Sequence, residues 1–104
     1  MQPDKYEELS AKADALHEQG EYPEAIEIYD RLLVARPDDT EILLARCAAL
    51  VEGGGYARAR EDGLRLLELE QDNTRAMFNV GLAADFSGDT EEAMQWFARA
   101  VEGD

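Results

Sequence analysis

Three glycines, Gly20, Gly54 and Gly88, stand 34 residues apart in this chain. Ala25, Ala59 and Ala93 keep the same interval, and so do Arg31, Arg65 and Arg99. A period near 34 residues, held without insertion through all 104 residues, is the mark of stacked helix–turn–helix units. The expected fold is all-α: a solenoid of three such units, with six antiparallel helices and no strand. One unit cannot cover its own apolar stripe, so stacking is what stabilises it.

The apolar spacing places each helix. Leu9, Ala13 and Leu16 predict a helix over residues 5–18, with Asp4 positioned to cap its first N–H groups. Pro23 opens a second helix, where its missing N–H costs nothing, and Ala25, Ile26, Tyr29, Leu32 and Leu33 carry it to residue 35. Pro37 disfavours the α conformation at Arg36 and breaks the pattern. The cycle repeats with predicted helices at 40–52, 57–69, 75–86 and 90–102, with Asp39 and Asn73 as caps and glycines in the turns within each pair. Closely crossing helices need small residues at the crossing. Ala13, Cys47 and Gly81 supply them on the first helices; Ala25, Ala59 and Ala93 supply them on the second.

Charge and residue inventory narrow the function. The net charge is −14, divided −7, −3 and −4 over residues 1–39, 40–73 and 74–104. Nucleic acid and anionic membrane both demand Lys/Arg footprints, which argues against both as partners. Acidity speeds encounter with basic partners, and it also keeps a small protein soluble. The lone cysteine, Cys47, excludes an intrachain disulfide and reads as core packing. The N-terminal stretch is polar and acidic, without the apolar region of a signal peptide, and no apolar run reaches the length of a membrane span. A cytoplasmic protein is expected. His17, the single histidine, lacks the neighbours of a catalytic or metal constellation, and Gly53-Gly54-Gly55 is followed by no Lys-Ser/Thr of a phosphate loop. No enzyme, cofactor or metal is expected.

The spaced signature resembles the tetratricopeptide repeat over the whole chain, as one domain, 1–104, with copies at 6–39, 40–73 and 74–104. The first copy supplies Leu9, Ala13, Leu16, Gly20, Tyr22, Ala25, Tyr29, Leu32 and Pro37. The second supplies Leu43, Cys47, Leu50, Gly54, Tyr56, Ala59 and Leu66; the third supplies Met77, Gly81, Ala84, Gly88, Ala93, Phe97 and Ala100. Three departures stand out. Gly63 replaces an aromatic residue, Gln71 replaces the proline, and the third copy is short, with no capping helix after it.

The resemblance implies a right-handed superhelix whose first helices line a concave groove that takes a peptide. By register that groove is lined by Glu7, Ser10, Asp14, His17 and Glu18, then by Glu41, Leu44, Ala48, Val51 and Glu52, then by Arg75, Phe78, Asn79, Leu82, Asp85 and Phe86. Leu44, Ala48, Phe78 and Leu82 would form an apolar floor, and Glu7, Asp14, Glu18, Glu41, Glu52 and Asp85 an acidic lip. The implied partner is a protein or peptide with apolar and basic residues. One subfamily grips chaperone C-terminal carboxylates with Lys, Arg and Asn; here Arg75 and Asn79 alone are of that kind, which argues against such capture. A second expected surface is the outer face of the last helix, Met94, Phe97 and Val101 with Trp96 nearby, for a symmetric homodimer or a partner helix, or left open by a cut in a longer chain. A self-assembling structural protein and a small acidic chaperone are the alternative readings.

Overall fold

A computed structural model of the chain describes residues 1–103, and Asp104, the last residue of the third copy, lies outside them. Six helices follow in order: α1 (Pro3–Glu18), α2 (Tyr22–Ala35), α3 (Thr40–Gly53), α4 (Tyr56–Leu69), α5 (Thr74–Phe86) and α6 (Thr90–Glu102). Among the described residues there is no strand.

The turn glycines do the work their spacing suggests. Gly20, Gly54 and Gly88 have φ of +80°, +89° and +93°, and among the described residues no other position has positive φ. In this left-handed conformation the chain reverses, and the next N–H reaches back to a carbonyl five residues earlier. Glu21 donates to Leu16 at 2.8 Å, Gly55 to Leu50 at 2.7 Å and Asp89 to Ala84 at 2.8 Å. Each closes the orphan carbonyls of a first helix.

At the opposite ends, Asp39 accepts from the Ile42 N–H and Asn73 from the Ala76 N–H, as expected, and Asp89 does the same for Glu92. The expected cap at Asp4 is corrected. Helix α1 begins two residues earlier, with Pro3 in its first turn and Gln2 outside it, so Asp4 lies within the first turn and meets the helix dipole instead.

Within each pair the small residues meet. Ala13, Ala25, Cys47 and Ala59 have no exposed surface, and the Cys47 thiol donates to the Ala59 carbonyl at 3.2 Å. At Gly81 a Cβ would lie 2.5 Å from Cε1 of Phe97, so the Phe97 ring rests on bare backbone. Gly63 has a similar explanation. A Cβ there would meet Cγ2 of Val80 at 2.3 Å, so Val80 occupies the volume an aromatic residue at 63 would take.

Each helix packs on the next in sequence. The backbones of the first helices also approach one another, α1 on α3 and α3 on α5, whereas α2 and α4, and α4 and α6, stand farther apart and meet only through long side chains. The stack therefore bends toward α1, α3 and α5, which form its inner wall. The whole measures 42 × 25 × 20 Å.

Candidate functional site

Three cavities run along that inner wall and share lining residues. The first, about 450 Å³, is lined by Asp14, His17, Glu18, Tyr22 and Glu52. The second, about 390 Å³, is lined by His17, Glu41, Leu44, Ala45, Ala48, Arg75 and Asn79. The third, about 340 Å³, includes Tyr6, Glu7, Ser10, Asp14, Arg36 and Glu41. His17 belongs to the first two, Glu41 to the second and third, and Asp14 to the first and third. One continuous surface results, built from α1, α3 and α5. A fourth cavity, at Lys12, Leu16 and Glu24, shares none of these residues.

Of the residues expected to line the groove, Glu7, Asp14, His17, Glu41, Leu44, Ala48, Arg75 and Asn79 are brought together here. Phe78 is half exposed and leans on Phe97, ring centroids 5.5 Å apart. Leu82 is partly buried against the Cys47–Leu50–Val51 cluster. Asp85 is exposed but borders none of these cavities. Val51 is a correction: at 7% exposure it belongs to that same core cluster, because its place on α3 turns it toward Ala59 and Ala83.

The end face needs a correction as well. Met94 and Val101 are 66% and 72% exposed. Phe97 faces inward, held by Gly81 and Phe78, so it belongs to the α5–α6 packing more than to a free surface. Trp96 is partly buried, donates to Glu92 at 3.2 Å and lies under the Arg99 guanidinium.

Charge is partitioned between the two sides. Arg46 of α3 grips Asp62 of α4 with two bonds, at 2.7 and 2.8 Å, and Asp30 of α2 at 2.9 Å. Arg58 joins Asp30, Arg60 bridges α4 to Glu92 of α6, and Arg65 pairs with Asp38 and Glu68. Arginine is thus spent neutralising acids carried mainly by α2, α4 and α6. On the inner wall, among the described residues, none of Glu7, Asp14, Glu18, Glu41 and Glu52 has a Lys or Arg partner. Glu52 meets His17 Nε2 at 2.5 Å, and Asp14 accepts from the Tyr29 hydroxyl at 2.6 Å. Arg75 is the one Arg or Lys in the two cavities that meet at His17.

The phenols hold the groove's edge in place. Tyr6 donates to Asp39 at 2.6 Å, with the Arg36 guanidinium 3.9 Å over its ring. Burial, and then the bond to Asp39, pushes the Tyr6 phenol up to about 12. Burial and Asp14 push Tyr29 up as well. Burial raises the Cys47 thiol to about 12, with the Asp62 charge next in effect, so it stays a protonated core residue.

Two features, Tyr22 as a groove residue and the Arg46–Asp62 pair, escaped the sequence reading. Tyr22 floors the first cavity, and its only signal was recurrence as Tyr56 in the second copy. The Arg46–Asp62 pair was signalled by charges falling on otherwise apolar stripes, Leu43–Cys47–Leu50 and Ala59–Leu66.

Two models of the tetratricopeptide repeat family match the chain, one over residues 7–50 and the other over 44–104. The chain belongs to the tetratricopeptide repeat family. Comparison with curated proteins finds no match. Solved tetratricopeptide repeat domains superpose closely. The second such domain of Spaghetti (RPAP3), bound to an HSP90 peptide, has a TM-score of 0.87 at 23% identity, over 95% of this chain and 92% of its own. The translocator chaperone SycD of Yersinia enterocolitica type III secretion gives 0.91 at 22%, over 98% and 77%. The first domain of human RPAP3 gives 0.88 at 26%, over 99% and 81%. These likenesses establish a tetratricopeptide solenoid. Among its described residues no helix is long and apolar enough to cross a membrane.

Proposed function

We propose that this tetratricopeptide repeat domain is a non-enzymatic interaction module of the cytoplasm that holds a segment of a partner protein in its inner groove. The observation that carries the reading is the continuity of three cavities along α1, α3 and α5, joined through Asp14, His17 and Glu41. Leu44, Ala48 and the half-exposed Phe78 offer apolar contact, while the unneutralised acids favour a basic segment. The peptide-bound domain of Spaghetti, a relative in fold, supports peptide capture as a use of this architecture. The HSP90 tail itself does not suit this wall, where Arg75 and Asn79 are the sole Lys, Arg or Asn side chains in the two cavities that meet at His17. The test is an affinity pull-down from the source lysate, wild type beside a Leu44→Glu/Phe78→Glu variant shown to be folded by circular dichroism. Proteins retained by wild type alone support the groove, and identical retention by both overturns it.

A second reading rests on Met94 and Val101, the large apolar side chains left open on α6. It makes the protein self-associating through that face. Mass measurement at high concentration decides: a dimer that Met94→Glu/Val101→Glu returns to monomer supports it, and a monomeric wild type ends it. Phe97→Glu is unsuited to this test because it would strike the packing on Gly81.

A further inference from the structure

We infer that the groove reads an extended segment carrying one basic and one apolar side chain a few residues apart, seated on opposite sides of His17. This deepens the groove reading and rests on it.

Two unlike cavities adjoin at His17. On one side lie the carboxylates of Asp14, Glu18 and Glu52 around the Tyr22 ring, with no Lys or Arg among them. A lysine or arginine head there gains charge-assisted hydrogen bonds and an aromatic face. On the other side the lining is Leu44, Ala45 and Ala48, with Arg75 and Asn79 at the rim. An apolar side chain fits that floor, and Arg75 repels a second cation, so the order of the two anchors is fixed by repulsion as well as attraction.

The position of the acids strengthens the inference. Glu18 ends α1, and Glu52 is the penultimate residue of α3. Both sit at the negative pole of a helix dipole, where a carboxylate destabilises the helix and a lysine would stabilise it. Their charges add to those poles, so the negative potential is focused on the first cavity at a cost to the fold. Such placement is the expected trade at a binding site.

Adjacency sets the spacing. The two cavities share His17 as a common wall, so their occupants lie on either side of one imidazole. An extended chain advances about 3.3 Å per residue, so the two anchors are a few residues apart.

The experiment is selection of random ten-residue peptides displayed on phage against the wild-type protein, followed by titration of the recovered peptides against variants. The expected outcome is enrichment of Lys or Arg paired with Leu, Ile, Phe or Met at a fixed spacing of a few positions. Glu18→Lys/Glu52→Lys, shown to be folded by circular dichroism, should then weaken binding at least tenfold, and Leu44→Glu should also abolish binding. Peptides lost with Leu44→Glu but lacking basic residues, or indifferent to Glu18→Lys/Glu52→Lys, overturn this inference and leave the groove reading standing. Peptides indifferent to all three substitutions, or a selection that enriches nothing, overturn both.

Discussion

Gly63→Ala should destabilise the domain, although alanine is the better helix former by about 1 kcal/mol. The new Cβ would lie 2.3 Å from Cγ2 of Val80, whereas carbon atoms settle about 3.5–4.0 Å apart, so the α4–α5 contact must open by more than 1 Å. There is little slack: Val80 is fully buried, and the Ala76 carbonyl and Cys47 sulfur sit 3.5 and 3.6 Å from the same point. Overpacking of this kind costs about 1–3 kcal/mol. Taking the upper end for so short a contact and subtracting the propensity gain leaves about 2 kcal/mol. For a domain of this size that lowers the melting temperature by about 10 °C. Circular dichroism at 222 nm, by heat and by urea, reads it directly. The double variant sharpens the test: with Val80→Ala the volume is vacated, so adding Gly63→Ala should be neutral or stabilising, and the two changes should couple by about 2 kcal/mol. A Gly63→Ala protein as stable as wild type, or additive effects in the double variant, would refute the idea that Val80 has taken the place of the missing aromatic ring.

Asp62→Ala should cost about 1–3 kcal/mol in urea denaturation, since the largely buried guanidinium of Arg46 loses two of its bonds and keeps only Asp30, whereas Arg58→Ala, at an exposed bridge, should cost under about 1 kcal/mol. Cys47 should resist iodoacetamide at pH 8 in the native protein and react once urea unfolds it, because its thiol is buried and raised to about 12; alkylation at equal rates in both states would contradict its packing. Stability should fall at alkaline pH. The Tyr6 phenol is neutral in the fold up to about 12, against about 10 unfolded, so its contribution is complete below pH 10 and is lost as pH rises toward 12, with Tyr29 acting in the same direction. A urea midpoint unchanged from pH 9 to 11.5 would contradict the Tyr6–Asp39 and Tyr29–Asp14 bonds.

Much of the architecture was legible because its signals are local. Gly20, Gly54 and Gly88 specify left-handed turns, Pro37 stops a helix, Asp39 and Asn73 start others, and the periods of Leu and Ala choose the faces. What escaped depends on partners distant in sequence. Val51 falls on the groove side by register alone, yet the approach of Ala59 and Ala83 buries it. Phe97 looks like an end-face residue until Gly81, sixteen positions earlier, proves to be the flat surface beneath it. Asp14 reads as a free lip acid, but Tyr29 from the next helix bonds it. The charge separation between inner and outer walls was likewise hidden, since it depends on which acids the arginines reach across helix pairs.

The most direct test of the central claim is an amide-resolved NMR titration of the labelled protein with a peptide recovered by selection. The account predicts shifts that trace Ser10, Asp14, His17, Leu44, Ala48 and Asn79 along α1, α3 and α5. Shifts confined to Met94 and Val101 on α6, with the inner wall unmoved, would contradict it.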